Sequence, residues 1–193
     1  MRVIAGEFRS RRLASLPGTS TRPTPDRMRE TLFSILMPII EGARFVDACA
    51  GTGAIGIEAI SRGAREVIFI EKNKLAVELI KENLASLQIK AKGRIIKGAA
   101  ALYLASMQDA IVFADPPYDK ESEYAAIFDA MAAHPPQMAI VQHSVRYKTP
   151  ESCGAMQRTR VLRQGDNALS FYQVPVEPVF LEPAGGSLAW SGG

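Results

Sequence analysis

From residue 44 onward short apolar runs alternate with amphipathic ones, and no feature of the chain narrows its fold more. Strands are expected at 44–49, 66–70, 94–97, 110–114 and 137–142. Helices are expected between them at 54–62, 73–87, 99–107 and 121–133. Such β-α repetition dictates a doubly wound, mostly parallel sheet with helices on both faces, because each crossover must cover the sheet it returns to. Two further extended runs, 157–163 and 168–174, flank Gln164-Gly165-Asp166-Asn167. They read as a closing antiparallel hairpin, for an α/β fold with a seven-stranded sheet.

The first strand runs straight into a glycine-rich turn and then a helix: Phe45-Val46-Asp47-Ala48-Cys49-Ala50-Gly51-Thr52-Gly53, with Gly56 following. Glycines at 51 and 53 let the backbone approach a ligand closely. Dinucleotide enzymes use the same device. Asp47, at the strand's end, suits a ligand amine, which a diphosphate does not supply. Glu71 closes the second strand 24 residues later, where an acid accepts hydrogen bonds from ribose hydroxyls.

The run Ile111-Val112-Phe113-Ala114-Asp115-Pro116-Pro117-Tyr118 follows the fourth strand. Parallel sheets bind ligands at their carboxyl ends, so this loop belongs beside the glycine-rich turn. Two prolines stiffen it and remove two N–H donors, leaving carbonyl and carboxylate acceptors that suit an amino group. Tyr118 offers a flat face on which a base can stack. Asp115 and a proline carbonyl would take the amine's hydrogens and aim its lone pair at a methyl sulfonium, which is catalysis by orientation and electrostatics.

The net charge of +3 is unevenly spread. Residues 1–30 carry seven arginines against three acids, a net of +4, and the remaining sixteen basic and seventeen acidic residues leave −1. Arginine forks onto phosphate and stacks on bases, so a polyanionic partner is expected here. Residues 2–13 suggest an arm turning at Gly6, and 14–25 a loop. Thr24-Pro25-Asp26 reads as a helix start, with Met28, Leu32, Phe33, Ile35, Leu36 and Ile39 at helical spacing. The organisation expected is a basic arm and helix at 1–42, an α/β domain at 43–174, and a flexible tail at 175–193 with Trp190 docked.

Apolar residues at 47% allow a full core, and no window approaches the roughly 20 apolar residues a membrane helix needs. Without a secretory leader, a cytoplasmic setting is expected. Cys49 and Cys153 have no metal-ligand spacing, no metal site is expected, and Cys49 reads as a core thiol. His143 reads as an ordinary residue after the fifth strand, and His134 as a surface turn before Pro135-Pro136.

Asp47-Ala48-Cys49-Ala50-Gly51-Thr52-Gly53 and Asp115-Pro116-Pro117-Tyr118, in that order and about 62 residues apart, resemble the class I amino-methyltransferases of nucleic acids. The N-terminal Arg22-Pro23-Thr24, Arg27, Arg29-Glu30 and Leu32-Phe33 narrow the likeness. So does Gly56-Ile57-Glu58-Ala59-Ile60-Ser61-Arg62-Gly63-Ala64. The chain resembles, over residues 1–172, the RsmD-like bacterial family that methylates guanine N2 in small-subunit ribosomal RNA. The resemblance implies that S-adenosylmethionine binds at Asp47, Ala50, Gly51, Thr52, Gly53, Glu71 and Ala99. It implies that Asp115, Pro116, Pro117 and Tyr118 grip the target base. It implies that Arg9, Arg11, Arg12, Arg22, Thr24, Arg27 and Arg29 meet RNA. The family commonly carries an acid just after the third strand, where this chain has Lys97-Gly98-Ala99-Ala100. The expected partner is ribosomal RNA or a small-subunit assembly particle, bound by a monomer. A DNA adenine-N6 methyltransferase, which shares the tyrosine loop, and a non-catalytic RNA-binding assembly protein are the alternatives.

Overall fold

The computed structural model describes residues 1–15 and 26–175. The expected cap at Thr24, the contact at Arg22 and the tail with Trp190 lie outside the described residues. Strands β1 (Arg44–Ala48), β2 (Glu66–Glu71), β3 (Gly93–Lys97), β4 (Ile111–Ala114) and β5 (Met138–Ser144) pair in parallel. The chain continues through β6 (Ser152–Cys153), β7 (Met156–Gln164) and β8 (Asn167–Gln173), giving the order β3-β2-β1-β4-β5-β8-β7-β6. The doubly wound sheet is thus as expected, with eight strands rather than seven. The added one, β6, is two residues long, too short to leave a periodic signal, and it pairs antiparallel with β7. β8 inserts antiparallel between β5 and β7, and the β7–β8 turn tightens to Gly165-Asp166, since Gln164 pairs with Asn167.

Helices α1 (Asp26–Ile40), α2 (Ala54–Ser61), α3 (Lys74–Ser86) and α4 (Glu121–Ala133) stand close to expectation. Residues 99–107 do not form the expected α-helix. They form two 3₁₀ turns, Ala100–Leu102 and Leu104–Ser106, closed by bonds such as Leu102 N–H to the Ala99 carbonyl. A 3₁₀ turn rises about 2 Å per residue against 1.5 Å, so the short crossover from β3 to β4 gains reach. Among the described residues, no helix is long and apolar enough to cross a membrane.

The N-terminal segment does not stand apart from the α/β domain. Leu32, Phe33 and Leu36 of α1 join Phe45 and Phe69 of the sheet in one core. The arm folds back on itself through Val3 and Arg11, and Ser10 and Val3, then lies across α2. All eight residues of α2 are therefore buried. Glu58 faces the arm rather than water, accepting from the Ile4 and Ala5 N–H groups and from Arg62 Nε. The close approach requires Gly6: a Cβ there would stand 1.8 Å from the Ser61 carbonyl oxygen. Asn83 of α3 ties the end of the arm to the glycine-rich turn, bonding both Ala14 and the Thr52 carbonyl.

Candidate active site

The strand order reverses direction at β1, with β2 on one side and β4 on the other. The carboxyl ends of the strands open there onto a cavity of about 420 Å³, a volume suited to a cofactor-sized ligand. Of the residues expected to hold a cofactor, Asp47, Ala50, Gly51, Thr52, Glu71 and Ala99 all border it. Gly53 does not. It caps α2 at φ 75°, and a Cβ there would meet Ile80 and Phe69.

The first turn is held by the two acids. Asp47 Oδ2 accepts from the Gly56 N–H at 2.8 Å, and Glu71 accepts from the Gly51 and Asn73 N–H groups, both at 2.8 Å. Cys49 is not a strand residue as expected. β1 ends at Ala48, and Cys49 turns at φ 68° into the cavity wall. Burial, with Glu71 and other acids nearby, pushes its thiol far up, so it supplies no thiolate.

Burial also pushes the Asp47 carboxyl up to about 8, against the lowering effect of the Gly56 N–H and with the charges of Asp115 and Glu71 adding. An unfolded aspartate ionises near 3.8. Between roughly pH 4 and pH 8 the folded chain therefore holds a proton that the unfolded chain lacks. Stability contributed at this site falls as pH rises through that window and levels off above it. Asp47→Asn should remove the fall. In urea melts of the ligand-free chain, the variant should gain on the wild type by up to about 1.4 kcal/mol per pH unit between pH 5 and pH 8. A difference that does not vary with pH would contradict the burial assigned to this carboxyl.

Asp115 and Pro117 border the same cavity from the end of β4. Gln142 of β5 donates to Asp115 Oδ2 at 3.1 Å. Tyr118 keeps 41% of its surface, and its hydroxyl bonds Asn167 Oδ1 at 2.6 Å. Pro116 is buried beneath the loop, its carbonyl turned to the Tyr124 hydroxyl, and the Pro117 carbonyl accepts from the Lys120 N–H. The proline carbonyls thus brace the loop, and Asp115 is its acceptor on the cavity wall.

Gln142, Asn167 and Tyr124 escaped the sequence reading. Gln142 and Asn167 are brought to the loop only by the pairing of β4, β5 and β8, and Tyr124 sits on α4, which follows the loop directly. His143 belongs to β5 and is buried, not placed after the strand. Its Nδ1–H donates to the Ser144 carbonyl and its Nε2 accepts from Ser170 Oγ, a structural assignment; burial keeps its pKa low.

Among the arginines expected at RNA, Arg9, Arg11, Arg12 and Arg27 are exposed. Arg11 also reaches the Ser86 carbonyl. Arg29 is a correction: it is fully buried on the inner face of α1, so it cannot meet an RNA phosphate. Among the described residues, no group of acids, cysteines and histidines could hold a metal ion.

The family model described as "Conserved hypothetical protein 95" matches residues 1–173. A Bacillus subtilis protein named "Putative rRNA methyltransferase YlbH" is 33% identical over 184 residues, covering 90% of this chain and 98% of that one. The Haemophilus influenzae "Ribosomal RNA small subunit methyltransferase D" is 38% identical over 123 residues, 61% of this chain and 64% of its own. The solved structure of an Escherichia coli protein named "Putative methyltransferase yhhF" superposes with a TM-score of 0.78. It is 31% identical, with 90% of this chain and 97% of that one covered.

Proposed function

This chain belongs to the family described as Conserved hypothetical protein 95, the RsmD-like ribosomal RNA methyltransferases, and from that premise we propose its reaction. The chain transfers a methyl group from S-adenosylmethionine to the exocyclic N2 of a guanine in small-subunit ribosomal RNA. The observation that carries this reading is that Asp115 and Glu71 border one cavity, so an acceptor suited to a base amine and one suited to ribose hydroxyls share a single site.

The residues present fit the cofactor. Glu71 would take the ribose hydroxyls, and Ile70, Ala99 and Phe113 offer apolar walls for the adenine. Asp47, Gly51 and Thr52 would take the amino-acid end. The bound cofactor supplies a methyl group on a positively charged sulfur. Everything else falls to the protein. Tyr118, anchored by Asn167, presents a ring face on which the target base stacks. Asp115, oriented by Gln142, accepts a hydrogen from the amine and thereby orients the nitrogen. The exposed arginines Arg9, Arg11, Arg12 and Arg27 give the arm and α1 a positive surface for phosphates.

The test is methyl transfer from labelled S-adenosylmethionine to small-subunit ribosomal RNA, both as free RNA and as the assembled particle, from a strain lacking this protein. After digestion to nucleosides the label should co-migrate with N2-methylguanosine. Label in N6-methyladenosine would overturn the guanine assignment. Transfer to duplex DNA but not to ribosomal RNA would overturn the substrate.

A further inference from the structure

Position 29 lies in the segment whose charge points outward, yet its side chain keeps only 1% of its surface. The Arg29 guanidinium has five N–H bonds. The two on Nη2 go to the Arg2 carbonyl and to Asp26 Oδ1, both at 2.8 Å. Those on Nε and Nη1 have no acceptor among the described residues. A buried cation with three unmet donors costs the fold considerable free energy, and native chains almost always supply the missing acceptor.

The side chain forms part of the wall of the cavity that Asp47, Gly51, Thr52 and Glu71 also border. Its place in that wall is fixed from two sides. The Arg2 carbonyl holds Nη2, and the neighbouring residue, Met1, sets its sulfur 3.9 Å from Thr52 Oγ1. Arg29 thus borders the same cavity as Met1 and Thr52. Asp47 and Glu71 make the rest of this wall acidic and suited to an ammonium or a hydroxyl. Lys72 also borders the cavity but is paired with Glu123, whereas Arg29 has donors left over for an anion.

We infer that Arg29 is a cofactor-binding residue that receives the α-carboxylate of S-adenosylmethionine. The inference rests on the cofactor reading above and goes further by assigning the amino-acid end. The carboxylate is the anionic group that this cofactor carries, and it offers a buried guanidinium the acceptors that its Nε and Nη1 require. Asp47 borders the same cavity, an acceptor for the ammonium of that amino-acid group.

Calorimetry on the whole chain tests this without relying on turnover. S-adenosylhomocysteine carries the carboxylate. Its decarboxylated analogue and 5′-methylthioadenosine do not. The wild type should bind the decarboxylated analogue more weakly than S-adenosylhomocysteine by a factor on the order of 10 to 100, the size of a charge-assisted hydrogen bond. Arg29→Gln should lose the same factor for S-adenosylhomocysteine and leave the affinity for 5′-methylthioadenosine unchanged, and Arg29→Lys should fall between. If Arg29→Gln does not fold, Arg29→Lys carries the same comparison, and equal loss of both ligands there overturns the inference. Equal wild-type affinity with and without the carboxylate would overturn the inference and leave the cofactor reading standing. Equal loss of both ligands in a folded Arg29→Gln chain would also overturn it, since that is the signature of a structural role. A wild type that binds none of the three overturns the cofactor reading, and the inference falls with it.

Discussion

Replacing Asp115 by alanine should lower methyl transfer by about 10²–10³ while S-adenosylhomocysteine binds within a few-fold of wild type. The two effects separate because the residue and the cofactor cradle hang on different strands. Asp115 follows β4, its N–H bonding the Ala48 carbonyl and its carboxylate held by Gln142. The glycine-rich turn and Glu71 hang on β1 and β2 and hold each other through the Gly51 N–H. Removing the Asp115 carboxylate leaves that second set of bonds in place. It also removes one of the charges that raise Asp47, so cofactor affinity should if anything improve slightly. Asp115→Asn keeps the shape and an acceptor oxygen but loses the charge, and should fall between wild type and alanine. Single-turnover rates with labelled cofactor, measured beside calorimetry, give both quantities. Wild-type turnover in the alanine variant would remove the tyrosine loop from the chemistry.

What could be read from the chain divides along physical lines. Central strands such as Val67–Ile70 and Ile111–Ala114 are buried on both faces, so they appear as unbroken apolar runs with turns on either side. The glycine-rich turn and the tyrosine loop are local, and the rule that ligands sit at carboxyl strand ends brings them together before any coordinates exist. β6 was illegible because two residues carry no period. Gln142 was illegible for another reason. Within Met138–Ser144 it is one of three polar residues, and its role appears only when β5 pairs with β4 and brings it to Asp115, 27 residues earlier. Arg29 was legible and was outweighed. Positions 29, 32, 33, 36 and 40 share one helical face, and all are buried. Summing charge over 30 residues gave the arginine an outward role that helical spacing denies it.

The three glycines at 51, 53 and 56 should fail in three different ways when replaced by valine. At Gly51 a Cβ would meet nothing within 4 Å, and the residue borders the cavity, so the added side chain intrudes on ligand space. Its φ of 54° adds strain of roughly 1–2 kcal/mol. The Gly51→Val chain should fold, melt about 5 °C lower and lose S-adenosylhomocysteine binding by tenfold or more. At Gly53 a Cβ would press on Ile80 at 3.2 Å and Phe69 at 3.3 Å, at a φ of 75°. Overpacking of that kind costs about 1–3 kcal/mol beyond the strain, so the chief loss should be stability. At Gly56 the backbone is ordinary helix, but a Cβ would sit 2.3 Å from the Phe69 ring, between α2 and β2. Phe69 is fully buried with no room to retreat, so α2 must lift off the sheet, and with it the Gly56 N–H that Asp47 accepts. Gly56→Val should therefore show the largest effect, with little folded chain at 25 °C by circular dichroism. Melting curves and calorimetry on the three variants resolve the pattern. If Gly51→Val bound ligand as the wild type does while remaining folded, the backbone of this turn would not be where the cofactor lies. If Gly56→Val melted no lower than Gly51→Val, the contact between α2 and Phe69 would not be what seats the turn.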